Sequence, residues 1–266
     1  MNVIENNETG KALLQQVKRY NRWLLAGSML TTLGVWEALV RLGKLPAFIL
    51  PPPGLVVIRF WQVVWDGSLL RHLSITLLEV LLGLLCGSLL ATVLGYLLAK
   101  SRLLERLLSP YLVASQAVPV VAIAPLLIIW FGSGIFSKVL ICILIVFFPI
   151  LVNTVVGLRA VPENLRDLMR SMRAGRWQML RFLEIPAALP VFLGGLRVGA
   201  TLSVIGAVVG EFVGADRGLG FLVNVGRGQY DTALVFVAIF TLVVLALILY
   251  GLVVLLERRY LLWMRN

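Results

Sequence analysis

The sequence predicts an all-α protein that crosses a membrane about six times. Composition is the first reason, because 60% of the 266 residues are hydrophobic and only 14% are charged, which is too apolar for a soluble domain. The second reason is that apolar runs of about 20 residues, the length a helix needs to cross the hydrocarbon core, alternate with short polar segments. One of these segments, residues 159–186, is longer and strongly basic, and the apolar runs are arranged around it.

Six apolar runs are predicted to span the membrane, and the segments between them are too short for a second folded domain. The runs are residues 23–40, 74–99, 111–131, 135–158, 189–213 and 233–256. Residues 1–22 are predicted to be a cytoplasmic tail, so that residues 23–266 form a single transmembrane domain. The third run is expected to be broken by Pro119 and Pro125, because proline lacks the N–H that a helix interior requires.

Three of the connecting segments have a predicted character of their own. Residues 51–53 are consecutive prolines, which cannot lie inside a helix and indicate an extended connector. Residues 55–65 are apolar and aromatic, and they predict a short helix that lies on the outer membrane surface. Residues 100–110 are expected to form a short basic loop.

The distribution of basic residues predicts the orientation. A net charge of +11 would suggest a nucleic-acid partner in a soluble protein, but here the basic residues cluster in short segments between apolar runs. With six spans and both termini in the cytoplasm, the inner segments hold sixteen Lys and Arg residues and the outer segments, with Lys138 among them, hold seven. This bias follows the positive-inside rule, so we predict cytoplasmic termini and no nucleic-acid partner.

The polar stretch 159–186 contains six arginines and predicts a helix–turn–helix. Pro162 suits the first turn of a helix, where its missing N–H costs nothing. Apolar residues that share one face of this helix are Leu165, Leu168, Met169 and Met172. Gly175 stands where a C′ glycine would end the helix, and a second short helix follows until Pro186 ends or bends it. An apolar face outside the membrane needs a partner, so we expect another protein to dock here.

Motifs that carry enzyme chemistry are absent from the sequence. There is no GxxxxGK[ST] loop for nucleotide phosphates, no HExxH and no GxSxG. His72 is the only histidine, and Cys86 and Cys142 lie in apolar runs without a CxxC partner, so neither a metal site nor a disulfide is predicted. The chain is therefore not expected to be an enzyme or to bind a cofactor, and energy for active transport must come from another chain.

Polar groups inside the predicted spans are candidates for function, because charge is costly there. Glu79 and Arg197 are each consistent with snorkelling or with pairing, and Glu211 with lining a path or with pairing at the membrane surface. Prolines free backbone carbonyls, which are tolerated where protein or a water-filled cavity receives them. The resulting candidates for a translocation path are Gln116, Pro119, Asn153 and Glu211.

Small residues recur every four positions in two of the spans. They are Gly83 and Gly87 in the second span, and Gly195, Gly199, Ser203, Gly206, Gly210 and Gly214 in the fifth. Such residues let helices approach closely. The pattern leaves open whether the fifth-span glycines pack inside one bundle or at an interface between subunits.

Residues 159–186 resemble the cytoplasmic coupling loop of ABC-importer permeases. Gly175 occupies the position of the family's glycine, and nine further residues lead to Ile185-Pro186-Ala187-Ala188-Leu189-Pro190, which is similar to the family's L-P-x-A-L-P. Met169-Arg170-Ser171 departs from the acid and two alanines that the family has before the glycine. The resemblance continues through Gly210-Glu211-Phe212-Val213 and Arg217-Gly218-Leu219-Gly220, and covers the chain from about Leu50 onward.

The resemblance implies a subunit of an ABC importer in the bacterial inner membrane. It implies two cytoplasmic ATPase subunits that bind ATP, an extracytoplasmic binding protein and a second permease copy, most simply as a homodimer in the lipid bilayer. ATPase-coupling residues would be Leu168, Met169, Met172, Gly175, Trp177 and Leu180. Residues 210–222 most resemble permeases for riboflavin or the thiamine pyrimidine precursor, with sulfonate, taurine, nitrate and bicarbonate as alternatives. The competing class is an ion-coupled secondary carrier or a channel, which would place charged groups at the bilayer midplane and need no partner.

The charge bias generates a test of topology. A reporter fused after Asn266 or inserted near Gly175 should report a cytoplasmic location, and one inserted near Pro52 an external one, because basic segments are retained inside. The measurement is the activity of phosphatase and fluorescent-protein reporters at each site. An external signal near Gly175 would contradict the whole scheme.

Overall fold

The structure, a computed structural model, describes Leu24 and residues 27–261, and every regular element in that part of the chain is a helix. The helices are α1 (residues 27–42), α2 (Pro53–Trp65), α3 (Ser68–Lys100), α4 (Arg102–Ala117), α5 (Val120–Phe131), α6 (Ile135–Arg159), α7 (Glu163–Ser171), α8 (Arg176–Met179), a π-helical turn (Leu180–Glu184), α9 (Ile185–Gly214), α10 (Leu219–Gly228) and α11 (Thr232–Tyr260). The predicted all-α fold is confirmed. The predicted tail and the first residues of the span at 23–40 lie outside the described residues.

Four helical stretches are long and apolar enough to cross a membrane: α3, α6, α11 and the continuous stretch Arg176–Gly214, which joins α8 and the π-helical turn to α9. α4 and α5 meet at 93° and together make a fifth candidate span. The start of α4 is hydrogen-bonded to the end of α6 through Glu105 and Arg159, whereas α5 leads into the start of α6. The bent pair therefore carries the chain from one end of the bundle to the other.

Residues 100–110 are not the predicted loop. α4 begins at Arg102, directly after Ser101, whose hydroxyl accepts a hydrogen bond from the Leu104 N–H at 3.2 Å and so caps the helix. The prediction was wrong because a basic composition reports on the side of the membrane and says little about backbone conformation. Of the two expected breaks, the one at Pro119 is confirmed, whereas Pro125 lies inside α5.

α6 is the centre of the bundle, parallel to α3 and antiparallel to α9. Cys142, in the first third of α6, lies between Gly83 of α3 and Gly206 of α9, and a Cβ atom on either glycine would collide with it. The same register continues along both seams. On α3, Gly95 lies against Thr154. On α9, the glycines at 195, 199 and 210 lie against Asn153, Ile150 and Lys138, respectively. The fifth-span glycines therefore pack inside one bundle, which decides the alternative that the sequence left open.

The two ends of the bundle are distinguished by what closes them. At the end here called the loop end, α3 and α6 finish and the segment of residues 160–184 follows. At the opposite end, here called the far end, α6 begins and α9 finishes. There α2, the predicted short aromatic helix, is fixed to the start of α11 by an ion pair of 2.8 Å between Arg59 Nε and Asp231 Oδ2.

The close seam between α6 and α9 generates a test by substitution. Gly206→Ala would place a Cβ atom 2.8 Å from the Cα of Cys142, so the helices must separate, at a cost of about 1–3 kcal/mol in the free energy of unfolding. Gly194→Ala is the matched control on the same helix, since its Cβ would meet nothing within 4 Å, and should be neutral or stabilising by up to about 1 kcal/mol. Thermal unfolding of both variants in detergent measures the difference. Equal destabilisation would contradict this packing.

Candidate functional site

The segment of residues 160–184, here called the coupling segment, presents large apolar side chains at the loop end of the bundle. Leu168 is 55% exposed, Met172 is 70% exposed and Trp177 is 67% exposed. Met169 and Leu180, which were predicted to belong to the same docking face, are half-buried. An exposed face built from large apolar side chains, at the end of a polar helix, is typical of a site that receives a partner.

The turn between α7 and α8 differs from the one that the sequence predicted. The left-handed residue that ends α7 is Arg173, with φ of 55°. Its N–H donates to the Arg170 carbonyl at 2.9 Å, and the Ala174 N–H donates to the Met169 carbonyl at 3.0 Å. These two bonds are the Schellman pattern, which satisfies carbonyls at the end of a helix.

Gly175 is therefore not the C′ residue of α7, and the prediction that it ends that helix is wrong. Its φ is −69° and its ψ is 164°, an extended conformation that other residues adopt, and it directly precedes α8. Its N–H donates to the Gln178 side-chain oxygen at 2.8 Å, and an added Cβ would find only that oxygen within 4 Å. The turn chemistry has shifted by two residues toward the N-terminus relative to the expectation.

The second short helix does not end at Pro186. α8 continues through the π-helical turn into α9, so that residues 176–214 are one uninterrupted helix. Proline cannot donate to the preceding turn, and a π-helical turn is a local way for a helix to absorb a residue that breaks the regular pattern. Residues 176–184 of the coupling segment are consequently continuous with a membrane-spanning helix.

Buried charges hold the coupling segment against the bundle. Glu184, whose side chain is 1% exposed, accepts a hydrogen bond of 2.5 Å from Nζ of Lys100 at the end of α3. Arg166 of α7 donates to the Leu158 carbonyl at 2.8 Å and lies 3.9 Å from the same glutamate. Because a buried carboxylate that lost its partner would be strongly destabilising, these contacts fix the position of the segment.

The candidates for a translocation path do not come together. Gln116 and Pro119 are exposed at the bend between α4 and α5. Asn153 is half-buried in α6, where its amide donates to the Pro149 carbonyl at 2.7 Å and its Cβ faces Gly195. Among the described residues, none of these three side chains lines the cavity between α1, α2, α3 and α11 or the three cavities toward the loop end of the bundle.

Glu211, the fourth path candidate, belongs to a buried cluster at the far end. Its side chain is 1% exposed and accepts hydrogen bonds from the Thr76 hydroxyl at 2.6 Å and from the Gly220 N–H at 2.5 Å. Thr76 in turn accepts from the Leu219 N–H at 2.8 Å, so the carboxylate and the hydroxyl together satisfy the first turn of α10. This geometry favours the pairing role that the sequence left open for Glu211.

Two further residues of this cluster join α3 to its neighbours. His72 Nδ1 accepts the Gly218 N–H at 3.0 Å, and a Cβ on Gly218, whose φ is 111°, would collide with the Glu211 carboxylate. Glu79, fully buried in α3, forms an ion pair of 3.4 Å with Nζ of Lys138, which is itself 3% exposed. Lys138 is therefore buried in α6, whereas the count of basic residues had placed it on the outer side. Outside this cluster, toward the loop end, Arg197 of α9 pairs with Glu257 of α11 at 3.3 Å.

The spacing of polar residues along α3 is a sequence pattern that predicts part of this cluster. His72, Thr76 and Glu79 recur at i, i+4 and i+7, so they share one face of α3 in an otherwise apolar helix. Such a polar stripe predicts a polar partner on a neighbouring helix. The partners, Lys138 and Glu211, could be identified only from the three-dimensional packing.

The comparisons with known proteins agree with this arrangement. The family described as the binding-protein-dependent transport system inner membrane component matches residues 83–262. A riboflavin transport system permease protein of Chloroflexus aurantiacus is 50% identical over 236 residues, covering 89% of this chain and 88% of that protein. A formylaminopyrimidine transport permease protein of Halalkalibacterium halodurans is 37% identical over 232 residues, covering 87% of this chain and 92% of that protein.

A solved structure supports the fold independently. The crystal structure of an amino acid ABC transporter with histidines superposes with a TM-score of 0.56 at 20% identity, covering 74% of this chain and 96% of that chain. This likeness concerns the fold alone, whereas the family match covers more than half of the sequence and extends across α6, the coupling segment and α9. The chain belongs to the family of binding-protein-dependent transport system inner membrane components, and is a permease subunit of an ABC importer.

Proposed function

We propose that this subunit forms the path of an ATP-driven importer for riboflavin or a closely related heterocycle, and that its coupling segment receives a cytoplasmic ATPase subunit. The observation that carries the proposal is the exposed apolar face of Leu168, Met172 and Trp177 on a segment fixed to the bundle. In the full transporter we expect two ATPase subunits, an extracytoplasmic binding protein and a second copy of the permease. Both termini and the coupling segment would then lie in the cytoplasm.

Continuity of the helix supports a mechanical role for the segment. Trp177 lies at the start of the uninterrupted helix 176–214, which packs along α6 from Asn153 to Lys138. A displacement applied at Trp177 therefore acts directly on a membrane-spanning helix, without a flexible linker to absorb it. Closure of the ATPases on ATP would bias the spans between inward-open and outward-open states, as a ligand that favours one of two states does.

The pairing of the cations inside the bundle supports an uncharged or weakly charged substrate. Lys138 and Arg197, the basic residues of α6 and α9 that are not exposed, are each paired with a glutamate. Neither is available to attract a small anion such as nitrate or taurine. The 50% identity to a protein named as a riboflavin permease points the same way. The comparisons give no support for a secondary carrier or channel.

Removal of the docking side chains tests the coupling role. Met172→Ala with Trp177→Ala should weaken association with the ATPase by about 2 kcal/mol or more, because apolar anchors in a groove contribute on that scale. Uptake and substrate-stimulated ATP hydrolysis should fall together, with expression unchanged. Trp61→Ala is the matched control, since Trp61 is also an exposed tryptophan but lies on α2 at the far end.

The measurement is co-purification of the ATPase with each variant, followed by uptake in vesicles. Wild-type uptake by the double variant after loss of the ATPase would contradict the coupling role. Loss of association in Trp61→Ala alone would place the docking site at the wrong end of the bundle.

Substrate identity is tested by reconstitution. Proteoliposomes that contain the permease, its ATPase and its binding protein should accumulate radiolabelled riboflavin or a pyrimidine precursor in preference to taurine or nitrate. The reason is that Lys138 of α6 and Arg197 of α9 are each held by a glutamate and are therefore not free to attract a small anion. The measurement is ATP-dependent uptake with each solute at equal concentration, with ADP as the control. Preferential uptake of the small anions would contradict the assignment.

A further inference from the structure

We infer that the loop end of the bundle holds a binding site for an anionic phospholipid with a hydroxylated headgroup, of which phosphatidylglycerol is the simplest. The site contains none of the path candidates and none of the exposed docking side chains Leu168, Met172 and Trp177. Its polar part is a cavity of about 460 Å³ between the ends of α3 and α6, the start of α4 and α7. The lining residues are Ala99, Lys100, Arg102, Glu105, Arg106, Arg159 and Arg166.

The charges of this cavity are not balanced by the described residues that line it. Its one carboxylate, Glu105, is engaged by Arg159, whose two terminal nitrogens each donate to a carboxylate oxygen at 2.6 Å. Arg102 and Arg106 are near enough to Glu105 to interact electrostatically, but neither forms a hydrogen bond or ion pair with any residue that the structure describes. Two guanidinium groups thus remain for an external anion, and guanidinium binds phosphate through paired hydrogen bonds.

A smaller cavity of about 210 Å³ adjoins the first and shares Ala99, Lys100 and Arg166 with it. Two buried polar atoms here, Arg166 Nε and Glu184 Oε2, have no hydrogen-bond partner among the described residues. Leaving such atoms unpaired is costly. Arg166 Nε needs a hydrogen-bond acceptor, which a phosphate oxygen supplies. Glu184 Oε2 needs a donor, which a headgroup hydroxyl supplies.

An apolar crevice next to these cavities selects a lipid over a free anion. The crevice, of about 420 Å³, lies between α3 and α9 and shares Leu158 with the smaller polar cavity. Its other lining residues are Thr92, Val93, Tyr96, Leu97, Thr154, Leu180, Ile185, Ala188, Leu189 and Phe192. On α4, exposed Leu103 and Leu107 follow Arg102 and Arg106 in the sequence. A phosphate headgroup above an acyl chain matches this succession of charged and apolar surface, whereas inorganic phosphate would leave the crevice empty.

The location agrees with that occupant. The cavity begins where the apolar helix α3 ends at Lys100, which is the level at which headgroups meet a membrane-spanning helix. Basic pockets between spans at this level are suited to anionic headgroups. The coupling segment contributes Arg166 and Glu184, so a bound lipid would also brace that segment against α3.

The test titrates the purified full-length chain in detergent with phosphatidylglycerol, phosphatidylcholine or inorganic phosphate, and counts bound lipid by native mass spectrometry. Arg102→Gln with Arg106→Gln should weaken phosphatidylglycerol binding by about tenfold or more. Arg258→Gln with Arg259→Gln is the matched control, because it removes two exposed arginines from the loop end of α11, away from the cavity. That control should bind as the unmodified chain does, and thermal unfolding without lipid should confirm that both variants are folded.

A second variant tests the acyl part of the site. Val93 is exposed and lines the crevice, so Val93→Trp should fill it and weaken binding while leaving the arginines unchanged. Equal loss in both arginine pairs, equal binding of phosphatidylcholine, displacement by millimolar inorganic phosphate or unchanged binding to Val93→Trp would each overturn the proposal. So would loss of ATPase association in Arg102→Gln with Arg106→Gln without loss of lipid, since the cavity would then belong to the protein partner.

Discussion

The close approach of α6 to α3 and α9 is the constraint on which the rest of the bundle depends. Within lipid, burial of apolar surface does not drive helices together, so association rests on tight packing and on hydrogen bonds. Gly83 and Gly206 provide the packing, because the absence of a side chain lets two backbones reach Cys142 from opposite sides. Once α6 is enclosed in this way, its ends are fixed in depth, and the polar groups at each end find their partners.

The sequence predicted those features that the membrane itself imposes. Span length follows from bilayer thickness, and the runs at 74–99, 135–158, 189–213 and 233–256 each fall within one of the four helical stretches that are long enough to cross a membrane. Small residues at every fourth position predicted close packing, but a seam within one chain and an interface between two chains use the same residues. The partner of each glycine face therefore depended on how the helices are arranged in space.

Local conformation and tertiary pairing were predicted less well, for different reasons. In the turn of the coupling segment the left-handed residue is Arg173, although glycine is the default in that region and arginine is costly there. The nearby Gly175 was therefore predicted to be the residue that ends α7. The start of α4 at Arg102 was not predicted, because the basic residues of 100–110 were interpreted only as evidence for the side of the membrane. α10 was missed because ten residues between two spans carry too weak a periodic signal. The candidate docking residues stay a prediction, although the structure exposes four of the six, Leu168, Met172, Gly175 and Trp177.

Buried carboxylates at the two ends of one helical stretch determine which parts of this subunit can move. Glu184, directly before α9, is bound to Lys100 of α3. Glu211, near the end of α9, is bound to Thr76, which also belongs to α3. These two attachments lie about 40 Å apart along the helix, at 1.5 Å per residue, and the glycine seams fill the distance between them. Sliding of α9 along α3 would break both attachments at once and leave buried carboxylates without partners. α3, α6 and α9 therefore form one rigid unit, and any rearrangement must occur around it, at the bend between α4 and α5 and against other subunits.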